Sequence, residues 1–329
     1  MDLLLATAET RGRSPKTIDG YKRFVEKYLA GWLNRPLAEI TPEDVHKKHR
    51  KIAVDVATGR YAKVELANGT TYRKRRSEGD GKVTANATMR GFRAAYNRAL
   101  RQHRNLPSNP CSNIDWFIER PRKTTIADTD MPAFYQAVQA LENPIHRDYL
   151  LLVLFTGLRK TSAAEIRWEH VDWDRRALHI PKPKGGEKRA FDLPLSDFLV
   201  DLLRRRQAEH KKYYPKSDFV FPSNGSKTGH IRDVRMTLNG QPMRLHDLRR
   251  KFIRVAESLN VSPYAVKLLC NHALPSSDIT ASYLDAELDR LHEVIQQVTD
   301  RLKTLCEIPS SGNVASIATA WTVGNSARA

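Results

Sequence analysis

The sequence predicts a mainly α-helical protein of two domains, the second of mixed α+β composition with a small antiparallel β-sheet. Three observations carry this reading. Apolar residues recur at helical spacing through most of the chain, as in Ile18, Tyr21, Phe24, Val25, Tyr28 and Leu29. Residues 176–195 instead hold two strand-like runs, Ala177-Leu178-His179-Ile180 and Ala190-Phe191-Asp192-Leu193, joined by a Lys/Gly turn. The segment Glu119-Arg120-Pro121-Arg122-Lys123-Thr124-Thr125 is polar and contains proline, the composition of an interdomain linker.

The elements follow in order. Residues 14–34 read as a helix, with Ser14 able to cap it and Pro15 suited to its first position. Thr41-Pro42-Glu43-Asp44 opens a second helix by the same chemistry. Residues 84–104 form a third, with Met89, Phe92, Tyr96 and Leu100 on one stripe and arginines around it. Between these, residues 59–82 read as a hairpin or mobile loop. In the second half, Thr129 or Asp130 caps a helix running to about Leu141. Residues 146–156 contain Tyr149-Leu150-Leu151-Leu152-Val153-Leu154-Phe155, apolar on all sides, which predicts a buried helix. Further helices are predicted over 196–211, 246–259, 262–271 and 278–305. The late stripe of Leu284, Leu288, Leu291, Val294, Ile295, Val298 and Leu302 can cover its own domain or dock on a neighbour. Domains are expected at 1–123 and 124–305, with a flexible tail over 306–329 that is rich in small and polar residues.

Composition narrows the function. Of 329 residues, 40% are hydrophobic and 28% charged, the balance of a soluble globular protein. No apolar run approaches the roughly 20 residues of a membrane span. Leu3-Leu4-Leu5-Ala6 is too short for a signal-peptide core. Cys111, Cys270 and Cys306 are far apart and odd in number, as in a cytoplasmic protein with reduced thiols, and no Cys/His spacing suggests zinc. The net charge is +18, and its distribution is uneven. Residues 1–123 hold 26 Lys+Arg against 13 Asp+Glu, the remainder 29 against 24. A basic first domain joined to a nearly balanced second one points to a polyanion partner.

The second half carries an ordered set of polar residues. Arg159 closes Thr156-Gly157-Leu158-Arg159. Lys182-Pro183-Lys184-Gly185-Gly186 forms the turn of the predicted hairpin. His246 and Arg249 lie in Leu245-His246-Asp247-Leu248-Arg249-Arg250. His272 ends Leu268-Leu269-Cys270-Asn271-His272, and Tyr283 lies in Ala281-Ser282-Tyr283-Leu284. Arginine suits phosphate, because its forked donors are always charged. Histidine can donate to a phosphate oxygen or move a proton, and lysine can serve as a general acid. Tyrosine is a nucleophile once cations or a base favour its ionised form. Taken singly, each residue has a bland reading: a surface arginine after a turn, a hairpin tip, a helix start, a core tyrosine. Together and in order they suit metal-free attack on a phosphodiester.

This order resembles the catalytic domain of the tyrosine recombinase (phage integrase) family, over most of residues 129–290. The resemblance implies a helical core-binding domain and a mixed catalytic domain forming a C-shaped clamp on double-stranded DNA attachment sites. It implies an integrase that cleaves and rejoins DNA through a 3′-phosphotyrosine bond, with Tyr283 as nucleophile and Arg159, Lys184, His246, Arg249 and His272 around the phosphate. Lys182 competes with Lys184 for the role of general acid. No metal or nucleotide cofactor is implied, because the phosphotyrosine stores the bond energy. The partners implied are a homotetramer on two DNA sites, with DNA-bending or excision factors as accessories. Lys16, Arg90, Arg93 and the run Arg73-Lys74-Arg75-Arg76 are candidate DNA contacts, the run being equally readable as a solvated loop. Two features depart from the family's pattern. Ser162 stands where many relatives carry an acidic residue, with Glu165 three further on to face the core or support Arg159. His272 and Tyr283 are eleven residues apart, slightly more than the commonest spacing. Alternatives with the same residues are a resolvase, a type IB-like topoisomerase, or an inactive DNA-binding module.

Overall fold

The computed structural model describes residues 15–59, 63–65, 71–73, 81–119, 125–272 and 288–309. Tyr283 and the Lys74-Arg75-Arg76 run lie outside the described residues, as do the proposed caps Ser14, Ser277 and Asp278. The chain divides into two compact units, Met1–Arg122 and Lys123–Ala329. Among the described residues the architecture is mainly helical, with three small antiparallel sheets. No described helix is long and apolar enough to cross a membrane.

The first unit holds α1 (Pro15–Tyr28), α2 (Pro42–Ala57) and α3 (Lys82–Leu100), with the paired strands β1 (Lys63–Glu65) and β2 (Thr71–Arg73) between α2 and α3. α1 stops earlier than its apolar pattern suggests, and Ala30–Trp32 form a separate 3-10 turn at Gly31, a poor helix former. α2 starts with a capping box. The Asp44 N–H donates to Thr41 Oγ1 at 3.2 Å, and the Thr41 N–H donates to the Asp44 carboxylate at 3.1 Å. Val45, Ile52, Met89 and Tyr96 are fully enclosed between α2 and α3.

Asn86, also fully buried, ties the exit of this unit to α3. Its Oδ1 accepts from His49 Nε2 at 2.8 Å and from the Phe117 N–H at 3.2 Å. Its Nδ2 donates to the Phe117 carbonyl at 2.8 Å and to Glu119 at 2.7 Å. All of its hydrogen-bonding capacity is thus used, which is what makes so deep a burial tolerable.

The second unit is built round α5 (Pro144–Thr156), which is buried from Asp148 to its end. It starts two residues before the predicted point, because Asn143 caps it through the Ile145 N–H at 2.9 Å and Pro144 fits its first turn. α4 (Met131–Gln139) precedes it, and α6 (Lys160–Ala164) follows. The Asp130 side chain does not cap α4. It accepts from Asn239 Nδ2 at 3.0 Å, while the backbone at Asp128–Asp130 coils as a 3-10 turn. The predicted hairpin is present as β4 (Ala177–Ile180) and β5 (Phe191–Pro194), pairing Leu178 with Leu193. β3 (Val171–Asp172) adds a third strand on the far side of β4. A second hairpin, β6 (Met236–Leu238) with β7 (Gln241–Met243), turns at Asn239-Gly240, both at positive φ. The remaining described α-helices of the unit are α7 (Asp197–Tyr213), α8 (Leu245–Ser258), α9 (Pro263–Leu269) and α10 (Leu288–Leu305).

The stripe on α10 covers its own domain. Leu291, Ile295, Val298 and Leu302 are buried in the same core as α5 and α8. Two polar contacts fix the register of this docking. Gln296 Oε1 accepts the Asp197 N–H at 3.0 Å, capping α7 from outside, and Thr299 donates to Ser196 Oγ at 2.9 Å. Leu284 lies outside the described residues. Packing continues past residue 305, since Cys306 is buried and Ile308 packs on the same core, so the expected tail does not begin at 306. Residues 310–329 lie outside the described residues.

Candidate active site

The site grows from the end of α5. Gly157 takes a left-handed φ of 63°, and its N–H closes the helix on the Val153 carbonyl at 3.0 Å. A Cβ at this position would stand 2.5 Å from the Phe252 ring of α8, so this turn needs glycine for space as well as for conformation. Leu158 is buried, and Arg159 emerges in extended conformation as the N-cap residue of α6. The next carbonyl, that of Lys160, accepts the buried Tyr149 hydroxyl at 2.7 Å. Arg159 therefore leaves the core from a backbone held on both sides.

α8 brings His246 and Arg249. Arg249 is only 3% exposed, and it bridges two separate segments. Its Nη1 donates to the Gly157 carbonyl at 2.5 Å and its Nη2 to the Cys270 carbonyl at 2.6 Å. Burial pulls its pKa downward, and the neighbouring Arg159 charge adds to this. A guanidinium nonetheless stays charged in a protein. His246 is exposed, three residues earlier on the same helix.

α9 ends at this point too. Asn271 adopts a left-handed φ of 43°, and the His272 N–H folds back onto the Lys267 carbonyl at 2.8 Å. The Asn271 carbonyl accepts from Arg159 Nη1 and from Arg189 Nη2, each at 3.4 Å. Three guanidinium groups thus rest on the two carbonyls of Cys270 and Asn271, where the negative end of the α9 dipole lies. None of the three has a carboxylate partner among the described residues. The two histidines record the resulting field. The pKa of His272 is lowered by desolvation, then by the charges of Arg249, Arg159 and Arg189. That of His246 is lowered by desolvation, then by Arg250 and Arg249. Both are exposed neutral imidazoles at the rim of a cationic cluster. Burial pushes the Cys270 thiol up to about 11, which leaves it un-ionised at neutral pH.

The candidate lysines separate in the structure. Lys182 pairs with Glu187 at 3.1 Å, whereas Lys184 is exposed and has no ion pair among the described residues. Ser162 is buried in α6, and with Glu165, Arg167 and His170 it lines a cavity of about 340 Å³. Glu165 is exposed and does not face the core, because it falls at the C-terminal end of this short helix.

Arg159, His246, Arg249 and His272 are thus brought together, with Lys184 on the adjoining turn, while Tyr283 lies outside the described residues. Arg189 and Asn271 belong to the cluster without having been singled out in the sequence. Of the candidate DNA contacts in the first unit, Arg93 is exposed. Arg90 is held by Glu119 at 2.8 Å and lies over the Trp116 ring. The side chains of Lys16, on α1, and Arg73, on β2, lie outside the described residues.

The fold is a mainly helical unit with small antiparallel sheets, and this cluster of cations and histidines lies at the meeting of α5, α8 and α9. Residues 125–286 match the phage integrase family, and the chain carries a domain of that family. It is 28% identical over 285 residues to the prophage integrase IntF of Escherichia coli (strain K12), covering 82% of this chain and 55% of that protein. The chain therefore spans about half the length of this curated relative. Among solved structures it resembles a lambda integrase dimer bound to a COC′ core site, with a TM-score of 0.60 at 15% identity over 83% of this chain and 94% of that one. The Tn1549 transposon integrase in complex with a circular intermediate DNA gives a TM-score of 0.58 at 15% identity, over 88% and 98% of the two chains. At these identities the structural likeness shows the fold.

Proposed function

We propose that this protein is a site-specific DNA recombinase of the integrase type, which cleaves and rejoins duplex DNA through a 3′-phosphotyrosine bond. The observation that carries this reading is the convergence of Arg159 and Arg249 on the α9 carbonyls, beside His246 and His272. Dipoles orient these cations without neutralising them, so a phosphodiester supplies the missing anion. Arg159 and Arg249 stabilise the charge that builds on the phosphoryl oxygens. His272 and His246, neutral in the free site, donate to those oxygens or carry protons. Tyr283 attacks phosphorus, the 5′ oxygen leaves with the bonding electrons, and Lys184 supplies its proton. Four copies on two attachment sites, with accessory bending or excision factors, would complete the exchange. The basic first domain, with Arg93 exposed on α3, grips the backbone of the same duplex.

The test is a covalent adduct on a denaturing gel. The substrate is a nicked duplex built from the junction sequences flanking the gene, without magnesium, offered to wild type and to Tyr283→Phe. An adduct with wild type alone is expected. An adduct with both proteins moves the nucleophile elsewhere, and tight binding without an adduct makes the chain an inactive DNA-binding module.

A further inference from the structure

We propose that Arg189 and Asn271 are positioning residues that lock the lysine turn to the end of α9, so that Lys184 and His272 enter the site as one unit. The inference rests on the assignment of Lys184 as general acid. Asn271 occupies a left-handed position that glycine would take at lower conformational cost, so its side chain must be judged by what it touches. Its Oδ1 accepts from Arg189 Nη2 at 2.9 Å, and its Nδ2 donates to the Arg189 carbonyl at 2.9 Å. These two bonds run in opposite directions between residues 82 apart in the chain. Two bonds to one residue fix its orientation as well as its distance.

Arg189 in turn is joined to the lysine. Its N–H donates to the Gly186 carbonyl at 3.1 Å, and the Gly186 N–H donates to the Pro183 carbonyl at 3.0 Å. A Cβ on Gly185 would stand 2.7 Å from Arg189 Cδ, so the turn after Lys184 lies directly on the arginine stem. Meanwhile the Asn271 carbonyl also holds Arg159. One asparagine, immediately before His272, thereby touches both the arginine under the lysine turn and the first arginine of the cluster. Loss of its side chain would let the turn drift, and a misplacement of about 1 Å can cost on the order of 10²-fold in rate.

Asn271→Gly is the test, since it keeps the left-handed backbone and removes only the clasp. DNA affinity should stay within about twofold, while cleavage of the nicked junction duplex should fall about 10²-fold. A duplex with sulfur replacing the scissile 5′ oxygen has a leaving thiolate that needs no proton, so the deficit on it should shrink below about threefold. Arg189→Lys, which keeps the charge but not the fork, should behave like Asn271→Gly, and the double variant should be no worse than either. Equal deficits on the oxygen and sulfur duplexes, or none on oxygen, would overturn the proposal. A second readout needs no catalysis. Amide hydrogen exchange over residues 182–190 of the free protein should quicken in Asn271→Gly and stay unchanged elsewhere. Unchanged exchange overturns the clasp even if wild type never cleaves DNA, and absence of wild-type cleavage counts against the recombinase reading alone.

Discussion

Two clusters of three arginines lie within the second unit, and they are built in opposite ways. In the first, Arg205, Arg206 and Arg147 surround Asp148, which is fully buried at the start of α5, at 3.2, 3.5 and 3.5 Å. Arg206 is itself 1% exposed and takes Glu209 at 2.9 Å as well. In the second, Arg159, Arg189 and Arg249 lean on backbone carbonyls and one amide. The first cluster brings its own anions and joins α7 to α5. The second, among the described residues, has dipoles where anions would be. A cation held by a dipole keeps its full charge while its direction is fixed, which is the condition for receiving an anion from outside. Number and burial of arginines therefore do not mark a functional site; the nature of their partners does.

The comparison can be broken at either cluster. Asp148→Ala leaves the buried Arg206 charge short of a partner and should cost about 3–5 kcal/mol in urea unfolding. A loss under about 1 kcal/mol would mean that the Asp148 cluster is not structural. Arg249→Ala should do the reverse. Removing one preorganised donor costs about 10²–10³-fold in rate, while the urea midpoint should move far less than in Asp148→Ala. An Arg249→Ala protein that cleaves normally but unfolds early would erase the distinction between the clusters.

The smallest effect concerns pH. Desolvation, and then the cations beside it, hold the His272 pKa below the usual value near 6.5, so in acid the proton binds more readily to the unfolded chain. This group therefore opposes folding only in acid. Its share of stability is intact above about pH 6.5 and is lost as pH falls through that value toward the lower folded pKa. His272→Gln should flatten the acid limb of a stability–pH curve without changing stability at pH 8. An unchanged acid limb would mean that neither desolvation nor the arginine charges act on this histidine.

Much of this could be read from the sequence, and the rest fails for identifiable reasons. Helices with one apolar stripe declare themselves, as α3 and α10 do, but a stripe does not say what covers it. Whether α10 met its own domain or another is settled by contacts far apart in the chain, such as that of Gln296 with Asp197 across 99 residues. The β6–β7 hairpin carried a usable signal, since Asn239-Gly240 is a pair suited to a two-residue turn. The ordered motif singled out Arg159, His246, Arg249 and His272 because those residues bear chemistry by type. Arg189 and Asn271 look ordinary in isolation, and only the approach of two distant segments makes them partners. The same holds for Lys182 and Lys184, which the sequence does not separate and which differ in that Glu187 pairs with the former.

Gly157 constrains what can change around it. Its carbonyl holds Arg249, its φ belongs to the left-handed region, and the Phe252 ring fills the space where a side chain would grow. Shrinking Phe252 would remove the clash but not the backbone penalty, so no single compensating substitution opens this position. In evolutionary terms it is a locked site, and sequences descending from this one can drift over the sheet and the surface helices long before they drift here.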